Sequence, residues 1–221
     1  MDEHEFEASP GLPERLPEGE RLLWQGAPDW KALARRAYHL PELAGYFAVL
    51  CLWYVGSAWS DGATAGVALV AGLVPLAMGA ACLGFLAWLA RAAARGTVYT
   101  VTDRRVVMRH GVALPMSVNL PFALVEGVGL KSHADGAGDV ALQLVRGQRI
   151  GYLVSWPHVR PWRFTRTEPT LRAIPDAERV GRLVAQALAD YHGLPLRAPV
   201  AATASVAGAT KAAGGAAHTP A

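Results

Sequence analysis

The stretch LAGYFAVLCLWYVGSAWSDGATAGVALVAGLVPLAMGAACLGFLAWLA, residues 43–90, holds a single charge, Asp61, in 48 positions. No soluble core needs so long an uncharged run, whereas a bilayer with about 30 Å of hydrocarbon does. Ser60-Asp61-Gly62 is a turn-forming trio and divides the run. Before it, residues 43–59 would span about 26 Å as a helix; after it, residues 63–90 are long enough to cross with tilt and carry a kink at Pro75. The expectation is a two-helix transmembrane hairpin. Tyr46, Trp53, Tyr54, Trp59 and Trp88 suit membrane interfaces, and Gly66, Gly72, Gly79 and Gly84 would let the helices approach closely.

The rest of the chain supports that reading. Of 221 residues, 52% are hydrophobic and only 18% charged, which is apolar and charge-poor for a soluble domain. Lys31, Arg35 and Arg36 precede the hairpin, Arg91 and Arg95 follow it, and the connecting turn has no cation. By the positive-inside rule the protein is expected in the inner (cytoplasmic or intracytoplasmic) membrane, multi-pass, with both termini cytoplasmic. The first residues lack the basic and apolar stretches of a signal peptide. Cys51 and Cys82, one per helix, read as small hydrophobes. Residues 112–130 are apolar enough to read as strands or as a third span; Asn119, Glu126, Pro115 and Pro121 favour strands.

Four regions follow. Residues 1–42 form an acidic segment, nine acids against five bases, with little regular structure over 1–27. It ends in an interfacial helix, where Trp30, Leu33, Ala34, Ala37 and Leu40 recur at helical spacing beside cations. Residues 43–90 are the hairpin. Residues 96–193 hold short strand candidates at 97–102, 105–109, 113–120, 123–130, 139–145 and 150–155, which suggests a small antiparallel barrel or sandwich. A helix closes this region: Asp176 caps it, Val180, Leu183, Val184, Ala187, Leu188 and Tyr191 form its apolar stripe, and Gly193 stops it. Residues 194–221 are an Ala/Gly-rich tail expected to be disordered.

Catalytic signatures are missing: there is no nucleophile elbow, phosphate loop, dinucleotide fingerprint or zincin helix. The expectation is a non-enzyme with no cofactor and no metal. Asp135-Gly136-Ala137-Gly138-Asp139 lacks calcium-loop spacing and reads as a turn. All seven histidines fall outside the hairpin, so the membrane helices offer no imidazole to a pigment metal. The conspicuous surface candidate is residues 155–164, SWPHVRPWRF, where aromatic and cationic side chains interleave. Trp156, His158, Arg160, Trp162 and Arg163 are expected to contact a protein partner or anionic headgroups, with Trp24, Trp30, Arg35 and Arg36 as further contact candidates. Nucleic acid is a poor fit, because the basic excess from Arg91 to the end, 16 Lys and Arg against 8 acids, is modest and lies beside a membrane.

Residues 20–30, ERLLWQGAPDW, the hairpin, and residues 97–107, TVYTVTDRRVV, resemble membrane-anchored bacterial PH-like domain proteins. Residues 24–40, 106–122 and 156–163 together are similar to the PuhB family of photosynthetic complex assembly proteins. The resemblance covers roughly residues 20–192. It implies a seven-stranded PH-like barrel closed by the C-terminal helix. It also implies a role in assembling the photosynthetic reaction centre of a purple bacterium, through protein–protein contacts and without chemistry. The partners so implied are reaction-centre subunits or their assembly intermediates, together with membrane lipids; a homodimer is left open. The family is often drawn with three spans, where the residues here give two. The competing expectation is an anionic-lipid-sensing membrane adaptor unrelated to photosynthesis.

Overall fold

The computed structural model describes residues 16–112, 114–148, 150–161 and 167–194. The expected tail therefore lies almost wholly outside the described residues. Two helices dominate the first half, α2 (Leu40–Ser60) and α3 (Ala65–Arg95), after a short α1 (Trp30–Arg36). Both α2 and α3 are long and apolar enough to cross a membrane. No residue of α2 is buried, and Val49, Leu52 and Trp53 keep 67–73% of their surface exposed. Water does not stabilise so continuous an apolar face.

α2 and α3 pack through a seam of small residues. Ala68, Gly72, Pro75 and Gly79 are the buried positions in the body of α3, and their spacing of four, three and four repeats along one helical face. A Cβ added at Gly72 would stand 2.8 Å from Val55, and one at Gly79 would stand 2.8 Å from Phe47. Gly66 and Gly84 have nothing within 4 Å, so only two of the four glycines expected at the contact serve it. The helices also run further than the charge-free stretch, because Glu42, Arg91 and Arg95 sit on their end turns, where water or headgroups solvate them.

Seven antiparallel strands follow two patterns. β1 (Leu22–Gly26), β2 (Val98–Thr102), β3 (Arg105–His110) and β4 (Met116–Pro121) form one sheet in that order. β5 (Val125–Ser132), β6 (Gly138–Leu144) and β7 (Thr170–Ile174) form a second. Met116–Pro121 and Val125–Ser132 are thus strands, and no membrane-length helix runs through this region among the described residues. The closed barrel expected from the sequence is not seen among the described residues. Pro121 ends β4 without a backbone donor and a 3-10 turn, Phe122–Leu124, re-aims the chain, so β5 starts a new sheet. The sheets face each other across Tyr99, Val101, Met108 and Phe122 on one side and Val140, Leu142, Leu171 and Ile174 on the other.

Two local expectations are corrected. Residues 22–26 lie in the segment expected to lack regular structure, yet they form β1 against β2. Glu20, just ahead of β1, is buried and takes two bonds from Arg105, Nε at 2.8 Å and Nη2 at 2.9 Å. Breaking such a pair from one side costs about 3–5 kcal/mol; the exposed Arg21–Asp103 pair at 3.6 Å is worth far less. Residues 150–155, expected as a strand, contain instead the single-turn α4 (Tyr152–Ser155), and the strand that completes the second sheet is β7.

The closing helix α5 (Ala177–His192) buries Val180, Val184, Ala187 and Leu188 over the sheets, while Tyr191 is exposed. Each buried Val or Leu contributes about 1.5–3 kcal/mol. Asp176 does stand at the N-cap, but its carboxylate accepts from Arg179 Nε at 2.7 Å and not from the helix backbone. α1 packs its apolar face on α3, where Ala32, Leu33 and Ala34 are buried with Ala90, Ala93 and Ala94. Asp29 caps it, accepting from Lys31 N at 3.0 Å, and Asp29 N donates to Ala173 O at 2.7 Å. That carbonyl is turned outward because Ala173 adopts a positive φ of 53° beside the register shift between β6 and β7.

The seam makes a quantitative prediction. Gly79→Leu should drive a side chain into Phe47 and lower hairpin stability by about 1–3 kcal/mol in SDS titrations of detergent-solubilised protein. Gly84→Leu, into open space, should change it by less than about 0.5 kcal/mol.

Candidate functional site

The segment expected to be a contact surface is divided by the fold. Ser155, Pro157, His158 and Val159 are buried, whereas Trp156 is exposed and Arg160 partly so. The cause is backbone pairing: Thr170 N donates to His158 O at 2.9 Å and Arg160 N donates to Glu168 O at 3.0 Å, laying 158–160 alongside the start of β7. Pro157, His158 and Val159 are covered together, and the flanking Trp156 and Arg160 stay accessible.

His158, expected to meet a partner, is 1% exposed and occupied on both ring nitrogens. Tyr99 Oη lies 2.6 Å from Nδ1, and Thr97 Oγ1 lies 3.1 Å from Nε2. Arg172 N donates to Tyr99 Oη at 3.1 Å, and Thr97 Oγ1 donates to Ala93 O at 2.7 Å. One assignment uses each hydrogen once: Tyr99 donates to Nδ1, and Nε2–H donates to Thr97. The ring is therefore neutral. Burial, with the neighbouring His110 and Arg172, pushes its pKa down to about 3. His110, 5.1 Å away between ring centroids, is also lowered by burial, and its Nε2 is buried without a hydrogen-bond partner in the structure. Burial raises the Tyr99 hydroxyl as well, which keeps it a donor.

Arg35 and Arg36, in the last turn of α1, both reach Asp135 in the turn between β5 and β6. Arg36 Nη2 donates to its two carboxylate oxygens at 2.6 and 2.7 Å, and Arg35 Nη2 to one at 3.0 Å. The Arg36 bonds and the two nearby guanidinium charges hold the Asp135 carboxyl below the usual range. Arg160 Nη1 donates to Glu168 at 2.9 Å. Arg172 Nη1 donates to Pro157 O at 3.3 Å and Nε lies 3.8 Å from Asp139.

Arg35, Arg36, Arg160 and Arg172 line one cleft of about 640 Å³ between the end of α1, the start of α2 and the three-stranded sheet. Its lining includes Arg35, Arg36, Lys131, Arg160 and Arg172, with Glu42 and Asp139 as its acids. Trp156 stands at its wall, edge-on to Tyr38 with ring centroids 5.2 Å apart. Of the sequence candidates, Arg35, Arg36, Trp156 and Arg160 thus converge. Trp24 does not: it is half-buried against the core, under Gly26. Trp30 packs on the α1–α3 cluster beneath the Arg91 guanidinium, 5.3 Å from its ring centroid. Trp162 and Arg163 lie outside the described residues. Lys131, Tyr152 and Arg172 were not among the candidates, since nothing local in the sequence separates them from ordinary strand and loop residues. Among the described residues no group of three or more His, Cys, Asp and Glu is placed to hold a metal ion, and Cys51 and Cys82 are free thiols.

A hydrophobic hairpin joined to two antiparallel sheets closed by a helix is the arrangement in which residues 40–188 match the family model described as bacterial PH domain; the chain belongs to that family. It is also 38% identical, over 190 residues, to a Rhodobacter capsulatus protein described as an uncharacterized 23.7 kDa protein in the puhA 5′ region. That similarity covers 85% of this chain and 89% of the relative. No solved structure matches the chain.

The neutral His158 sets a pH dependence. Its folded pKa lies below the free value of 6.5, so above about 6.5 neither state carries the proton and the network is at full strength. As pH falls from 6.5 towards 3, the unfolded chain takes up a proton that the folded protein refuses, and stability falls. Thermal unfolding in detergent should show midpoints dropping steadily from pH 7 to 4. His158→Gln should flatten that slope without abolishing it, because His110 is lowered too. At pH 7.5 the same variant should cost about 2 kcal/mol through two impaired buried bonds, a drop of about 4–8 °C.

Proposed function

We propose that this protein is a membrane-anchored, non-enzymatic assembly factor for the photosynthetic reaction centre, of the PuhB kind. The observation that carries the reading is the 38% identity, along most of both chains, to a relative encoded beside puhA, in a reaction-centre gene region. The three segments similar to the PuhB family support it. In this reading α2 and α3 cross the inner membrane with both termini cytoplasmic and present an apolar face to lipid and to nascent membrane subunits. The paired sheets hold the cytoplasmic side of a reaction-centre subunit or assembly intermediate. The protein acts by binding, with no cofactor of its own.

Two experiments test this. The protein should stay in the membrane pellet through alkaline carbonate and leave it only with detergent; release by carbonate alone would remove the spanning helices from the proposal. A clean deletion in the native host, with complementation, should lower reaction-centre content by light-induced bleaching while reaction-centre transcripts hold. Unchanged reaction-centre content would end the assembly reading.

A further inference from the structure

We infer that the cleft between α1, the start of α2 and the three-stranded sheet binds the phosphate-bearing headgroup of an anionic membrane lipid. The inference rests on α2 and α3 lying in the bilayer and is independent of the assembly role.

Charge is the first ground. Five Lys and Arg line the cleft against two acids. Asp135 and Glu168, which fix three of the guanidiniums, are not among the lining residues, so they orient the cations from behind. Pre-oriented guanidiniums suit phosphate oxygens, which they meet in paired, charge-assisted bonds.

Donors left over are the second ground. Arg36 spends Nη2 on Asp135, while its Nη1 is buried with no hydrogen-bond partner in the structure. Leaving that nitrogen unpaired is costly, and because it is closed off from the cleft an anion meets it only if the Arg36 side chain shifts. Lys131, exposed on β5, has no ion-pair partner among the described residues.

Place and size decide what kind of anion. The cleft wall includes His39 and Glu42, at the entry and first turn of α2, and the exposed apolar face of that helix begins at Tyr46. A lipid whose chains lie along α2 therefore presents its headgroup at the cleft. Trp156 and Tyr38 beside it are the aromatic kind of residue that settles at the headgroup level. The volume, about 640 Å³, suits a headgroup with its glycerol. An acidic peptide would satisfy the charge but would have no use for this position against the apolar helix.

The test uses the full chain in a neutral maltoside detergent, titrated calorimetrically with dihexanoyl phosphatidylglycerol and dihexanoyl phosphatidylcholine. Saturable binding of about one phosphatidylglycerol per chain is expected, at least tenfold tighter than phosphatidylcholine and weakened by salt. A cation near a membrane surface is worth about fivefold in binding. Lys131→Gln should therefore weaken phosphatidylglycerol about fivefold, and Lys131→Gln with Arg35→Gln about 25-fold, both keeping the native unfolding midpoint within a few degrees. Equal affinity for the two lipids, or unchanged binding by folded double variant, would overturn the inference. Inorganic phosphate binding as tightly as the lipid would assign the cleft to a free anion, and a polyglutamate peptide binding more tightly would assign it to an acidic protein; either result overturns the lipid site. Because the lipids used are dispersed singly, failure here is separable from carbonate release, which would remove the spanning helices, and from the deletion result, which judges assembly alone.

Discussion

His158 receives the Tyr99 hydroxyl proton on Nδ1 and gives its own Nε2 proton to Thr97, and those two bonds fix the end of α3 relative to the sheets. Thr97 is anchored to Ala93 O in the last turns of α3, Tyr99 sits on β2, and Arg172 N on β7 donates to the same hydroxyl. Four elements from distant parts of the chain thus meet at one neutral ring. In a low-dielectric interior such a chain of bonds is strong when every member is satisfied and costly when one is removed. A rotation of α3 against the sheets would break the network at Thr97, so the hairpin and the sheets are coupled with little freedom.

A second coupling acts from the other side of α3. α1 carries its apolar stripe onto Ala90, Ala93 and Ala94, is tied to β7 by Asp29 N to Ala173 O, and is clamped by Arg35 and Arg36 to Asp135. The three ties differ in strength. The buried alanine and leucine contact is apolar and persists in salt; the exposed arginine–aspartate clamp is screened and contributes little to stability. Its value lies in orientation, since it holds two guanidiniums at the cleft wall.

The hairpin was legible because one physical property decides it: a charge-free run of that length has no use in water. The α5 stripe was legible for the same kind of reason, periodicity at 3.6 residues. What escaped the sequence depends on pairing at a distance. β1 is five residues long, follows an acidic segment rich in proline and glycine, and is a strand because the edge of β2 is there to receive it. Residues 155–160 look like a mixed aromatic and cationic surface, but pairing with 168–170 turns His158 inward and leaves Trp156 and Arg160 at the cleft. Arg172 gave no local signal at all; its role comes from the strand that carries it past Asp139 and Pro157. Short strands at near-even spacing left barrel and sandwich both open, and the seven-stranded barrel came from the family resemblance; Pro121 and the turn after it divide the strands into two sheets. Of the four glycines in α3, only those on the face turned to α2 meet it, and sequence alone does not say which face that is.

The family match begins at residue 40, with α2, and ends at 188, within α5. β1 and α1 lie ahead of it, yet they add the edge strand to the first sheet and bring Arg35 and Arg36 to the cleft. The matched span holds the hairpin, both sheets except β1, and all four residues of this chain's histidine network, Thr97, Tyr99, His158 and Arg172. The cleft is different: Lys131, Arg160 and Arg172 come from inside that span, while Arg35 and Arg36 come from the segment before it. Charge at the cleft wall can therefore change at Arg35 and Arg36, at the end of α1, without touching the core, the seam or the histidine network.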